Sequence, residues 1–129
     1  LQLSLKRQWF LLTESGIKKE DYRNITARWC NRFLLYEGVS LPSSFWQEAL
    51  LDEEPTLQGE TLLFYIRKGF ITFKDFNTNI MTLGYPSKTD ESRILRYEHA
   101  GIEIRTGVEL WGAEPNKLYF VIKHGKRIN

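Results

Sequence analysis

A chain of 129 residues has room for one domain built on one hydrophobic core. Its formal net charge of +2 excludes a polycation that coats duplex nucleic acid without specificity, so any anion site must be local. Aromatic residues make up 14% of the chain, enough to fill a barrel core, to supply stacking platforms for bases, or both.

Leu1, Leu3 and Leu5 alternate with Gln2 and Ser4, which predicts a first strand. Trp9, Phe10 and Leu12 before the stop at Gly16 predict a short helix over residues 6–15, after which 18–23 run extended. Thr26 is placed to N-cap a helix whose apolar positions Trp29, Cys30, Phe33 and Leu34 share a face. A further helix is expected from Ser44 to about Leu51, with Phe45, Ala49 and Trp46 toward its inner side. Asp52, Glu53, Glu54 and Pro55 end it as an exposed acidic connection. From Thr61 the pattern changes to strands, at 61–67, 70–76, 79–83, 93–99, 102–105 and 117–124. The sum predicts an α+β protein, a small barrel covered on one side by two or three helices.

Cys30 has no second cysteine to bridge and no Cys or His at metal-ligand spacing, so it reads as a buried apolar residue in a reducing, cytoplasmic protein. No apolar run approaches the roughly 18–20 residues of a membrane span. Lys6 and Arg7 interrupt the leading apolar residues, unlike a signal peptide, and the start on Leu1 rather than Met implies a few preceding residues. No metal and no cofactor is expected.

The densest chemistry lies in Gly16-Ile17-Lys18-Lys19-Glu20-Asp21-Tyr22-Arg23, a G-x-K-x-x-D-x-R spacing. A turn at Gly16 lets Lys18, Asp21 and Arg23 converge, keeping the carboxylate ionised between cations in a net positive site. Two readings stand: a ligand cleft, or a structural ion-pair network. Leu3-Ser4-Leu5-Lys6 through Trp9 followed by this spacing resembles the ASCH family (activating signal cointegrator homology), whose signature is G-x-K-x-x-E-x-R after an L-x-L-K strand. Asp21 replaces the family's Glu. Ile25-Thr26-x-x-Trp29-x-x-Arg32, Leu83-Gly84-Tyr85, Gly101-Ile102-x-Ile104-x-x-Gly107, Trp111-Gly112-Ala113-x-Pro115 and Tyr119-Phe120-Val121-Ile122 resemble later segments of phage and bacterial stand-alone members. Residues 37–60 match nothing there and are expected to be a helical insertion, its acidity keeping it away from phosphate.

The resemblance implies a single PUA-like pseudobarrel over residues 1–129, with the first strand beside the signature strand. It also implies a cleft lined by Lys6, Lys18, Asp21 and Arg23 that binds RNA or a nucleoside or nucleotide. Tyr22, Trp29, Tyr85 and Trp111 are the aromatics in matched segments that are placed for stacking, although each also suits a core. The alternative is an RNA-processing enzyme in the same cleft. As a ribonuclease it would use Asp21 as base with Lys18 and Arg23 as electrostatic partners. An amidohydrolase like the acetylcytidine-cleaving branch needs a Thr where Asp21 stands and a distant Glu, for which Glu98 and Glu103 are possible. His99 and His124, the only imidazoles, read as surface or cap residues.

Overall fold

The computed structural model describes residues 1–129, the side chain of Thr56 excepted. Along the chain run β1 (Gln2–Leu5), α1 (Arg7–Glu14), β2 (Glu20–Arg23), α2 (Ala27–Phe33), β3 (Leu34–Tyr36), α3 (Ser43–Leu50), α4 (Pro55–Arg67), β4 (Ile71–Phe73), β5 (Thr78–Leu83), β6 (Ile94–Thr106) and β7 (Leu118–Arg127). The α+β class is as expected. Five strands form one mixed sheet in the order β1-β5-β6-β7-β2, and β3 pairs with β4 in a second. Among the described residues, no helix is long and apolar enough to cross a membrane.

Two compact units share the chain: residues 1–21, 75–101 and 122–129 form the first, residues 22–74 and 102–121 the second. In the first, β1 lies parallel to β5, pairing Leu3 with Met81 and Leu5 with Leu83, and β5 lies antiparallel to β6. Alternation explains the strand, since Leu3 and Leu5 are buried while Gln2 and Ser4 face out. Phe10 and Thr13 turn inward from α1, and the Tyr97 hydroxyl donates to the Thr13 carbonyl at 2.9 Å.

In the second unit Thr26 caps α2 as its spacing predicts, accepting from the Trp29 amide at 3.3 Å. Cys30 and Phe33 are fully buried, and burial pushes the Cys30 thiol up to about 12. A separate small cluster joins Ala113, Tyr119 and Val121, with Tyr22 packed against it.

Four expectations need correction. The first strand does not pair with the signature strand, because β1 and β2 stand at opposite ends of the strand order. The stretch 61–67 is the end of helix α4, making four helices in place of two or three. Leu62, Phe64 and Ile66 imitate strand alternation, but Pro55 at the first helical turn starts a helix that buries Leu62 and leaves Phe64 exposed. Gly59 lets this helix approach closely, since a Cβ there would lie 2.8 Å from Leu118 Cδ1 and 2.9 Å from Ile25 Cδ1. In α3 the inner face is Trp46 and Leu50, whereas Phe45 and Ala49 are exposed, a phase shift of one residue. Finally, the strands expected at 93–99 and 102–105 are one strand, β6, which passes through Gly101 at φ +110°.

Candidate functional site

Gly16 turns the chain in a left-handed conformation at φ +84°, and the Lys18 amide then bonds back to the Leu12 carbonyl at 3.0 Å. This turn sends the Lys18 side chain inward. Its Nζ donates to the Glu20 carbonyl at 2.7 Å and to Asp21 Oδ1, and lies 6.0 Å from the Trp9 ring centre. The second Asp21 oxygen, Oδ2, is 2.6 Å from His124 Nε2. The Lys18 and Asp21 side chains are only 2% and 3% exposed, and that of His124 is 2% exposed.

The polar chain continues. Asn79, on the inward face of β5, places Nδ2 2.8 Å from His124 Nδ1 and Oδ1 2.6 Å from His99 Nδ1. Nδ2 also donates to the Lys123 carbonyl at 3.1 Å, which decides the amide's orientation. With Nδ2 as donor, His124 Nδ1 must accept, so the His124 ring proton sits on Nε2 and points at Asp21. By the same logic His99 donates through Nδ1 and keeps its lone pair on Nε2. Burial works to raise the Asp21 pKa, but the His124 hydrogen bond and the Lys18 charge outweigh it and hold the carboxyl down at about 2. For His99, burial above all pushes the pKa below the ordinary histidine value.

A carboxylate with both oxygens engaged and almost no exposure cannot accept from a base edge or take a substrate proton. What the arrangement does is anchor: the Lys19 carbonyl also accepts from the His124 amide at 3.0 Å. Segments more than a hundred residues apart are thus joined through one buried carboxylate, which accepts from His124.

Lys6 and Tyr85 belong to the first unit as well. Lys6 is exposed, and its carbonyl starts α1 by accepting from Trp9 and Phe10. Tyr85 follows the left-handed Gly84 and is 95% exposed, an open ring face. In the second unit Tyr22 belongs to the core, with its hydroxyl accepting from the Val108 amide at 2.8 Å and its ring 5.6 Å from that of Tyr119. Trp111 ends a short 3-10 turn, half-buried. Of the two distant carboxylates, Glu98 is exposed in the first unit and Glu103 pairs with Arg105 at 2.5 Å in the second.

Arg23 and Trp29 do meet. The Arg23 guanidinium donates to the Tyr22 carbonyl at 2.8 Å and lies 5.4 Å from the Trp29 ring centre. Arg28 and Arg32 stand at 5.3 and 5.1 Å from the same ring, which is itself stacked on Phe33 at 5.2 Å. Three guanidiniums around one indole form a concentrated positive surface, ordered by cation–π contacts. No carboxylate occurs between Tyr22 and Tyr36 to dilute it along the chain.

Asn79 was missed in the sequence, and His124, read there as a surface or cap residue, has a buried side chain. The signal for Asn79 was its inward position in Thr78-Asn79-Ile80-Met81, where a buried amide must find partners. Arg32 stands three residues after Trp29 and four after Arg28, spacings that signal one shared helix surface. No family model, curated protein or solved structure matches this chain.

Proposed function

We propose that this chain is an RNA- or nucleotide-binding domain of the ASCH, PUA-like type, taking the ligand's phosphates on the arginines around Trp29. The observation that carries the reading is the set of three guanidiniums within 5.1–5.4 Å of a single indole. Guanidiniums bind phosphate oxygens through paired N–H donors and offer flat faces on which bases stack. Lys18 and Asp21 serve the reading as anchors of the signature segment. Fully exposed Tyr85 is a further stacking surface.

The test is fluorescence anisotropy of a labelled single-stranded RNA decamer between 50 and 200 mM salt. Three phosphates at about −0.7 each predict a log–log slope of about −2. A flat salt dependence, or no binding at 50 mM salt, contradicts the phosphate role.

A second reading, the RNA-processing enzyme, is favoured by one observation: His99 is oriented by Asn79 at 2.6 Å with a lowered pKa, the arrangement of a neutral imidazole base. Cleavage of the same RNA, lost in His99→Gln, would select it.

A further inference from the structure

We infer that the outward face of α4 is a dimerisation surface, on which a second copy of this chain lays its own α4 in the opposite direction. Leu57, Thr61, Phe64 and Lys68 recur along α4 and its C-cap at the spacing of a single helix face. Leu57 is 50% and Phe64 54% exposed. The opposite face already serves the core: Leu62 is buried, and Gly59 admits Leu118 and Ile25 at close range. That leaves a second apolar stripe open to water.

Charge names what covers it. At the start of the stripe Glu53 borders a shallow depression of about 310 Å³ together with Leu57, Glu60, Thr61, Phe64 and Tyr65. At its end the Lys68 ammonium lies 5.6 Å from the Phe64 ring centre. Neither Glu53 nor Lys68 has an ion-pair partner among the described residues. A neutral apolar segment would leave both without a counter-charge. A basic segment answers Glu53 and Glu60 but repels Lys68, and an acidic one does the reverse.

A second copy answers both ends at once. An antiparallel pairing centred between Glu60 and Thr61 sets Leu57 against Phe64 of the other copy, and Glu53 against its Lys68. The two-fold axis repeats both contacts, as an isologous interface requires. The one approach of like charges is Glu60 with its own twin beside the axis. A single helix pair covers less than the standard interface of about 1,600 Å², so the association is weak, with a Kd on the order of tens of micromolar.

Sedimentation equilibrium of the whole chain up to about 500 µM should therefore show a reversible monomer–dimer equilibrium. Phe64→Ala, at an exposed position, removes a contact made twice and should weaken the dimer at least about tenfold. Glu53→Lys and Lys68→Glu, each verified as folded by circular dichroism, should each associate at least about tenfold more weakly alone, because each sets like charges opposite one another at both ends. Mixed in equal amounts they should pair with each other, since Lys then meets Glu at both ends. Glu60→Gln should tighten the dimer about two- to fivefold, whereas it would weaken a cationic partner held on the same face. A chain that stays monomeric throughout, a dimer indifferent to Phe64→Ala or weakened by Glu60→Gln, or a mixture of the two charge variants no more associated than either alone overturns the interface.

Discussion

The network around Asp21 and the arginine group around Trp29 begin in the same short strand and handle charge in opposite ways. Asp21 is drawn out of water and compensated at once by Lys18 and His124, each within hydrogen-bonding distance. Arg23, two residues on, lies over an indole beside Arg28 and Arg32, so three guanidiniums gather on one ring. The contrast teaches that a charge-rich signature is not one site. One part buries a compensated carboxylate, and the other gathers guanidiniums on an aromatic ring.

The sharpest break in that comparison is Asp21→Ala. Removing the carboxylate strands a buried ammonium and breaks the His124 contact, and should cost about 3–5 kcal/mol in urea unfolding. A loss under about 1 kcal/mol would mean the network is not an anchor.

Acid should act on the same side of the comparison. Asp21 is depressed from 3.8 to about 2, so its contribution is complete above 3.8 and is lost as the pH falls through 2. The amount is on the order of 2 kcal/mol. His99 works in the same direction from a higher pH. Its folded pKa is lowered below 6.5, so the unfolded chain gains the proton first and stability declines as the pH drops beneath 6.5. Denaturant midpoints from pH 8 to 2 check both arms, and His99→Gln should flatten the one near pH 6.

Smaller effects sharpen the arginine side. Thr26→Ala removes the cap of the helix that carries Arg28, Trp29 and Arg32 and should cost about 1 kcal/mol. Tyr85→Ala, at a residue 95% exposed, should change stability by no more than about 0.5 kcal/mol while weakening RNA binding if its ring stacks a base.

Much of the fold was legible in the sequence because its signals are local. Alternating leucines mark β1, Thr26 marks the start of α2, and Gly16 marks the turn into Lys18. What misled was ambiguity of period: Leu62, Phe64 and Ile66 alternate as in a strand, and only Pro55, seven residues earlier, announces a helix. The Lys18–Asp21 pairing followed from spacing. Its third partner did not, because His124 lies 103 residues away and only the β2 and β7 backbones bring it there. Long-range partners of a buried charge are set by topology, which residue types alone do not specify.

The central claim is that the arginines around Trp29, and not the buried carboxylate, meet the ligand. It is tested most directly by anisotropy of the labelled RNA decamer against the Arg23→Ala, Arg28→Ala, Arg32→Ala triple variant, with a urea melt of the same sample. The account predicts roughly a hundredfold or greater loss of affinity, about tenfold for each charged contact with some overlap, and a melt close to wild type. Wild-type affinity in the folded triple variant would contradict it.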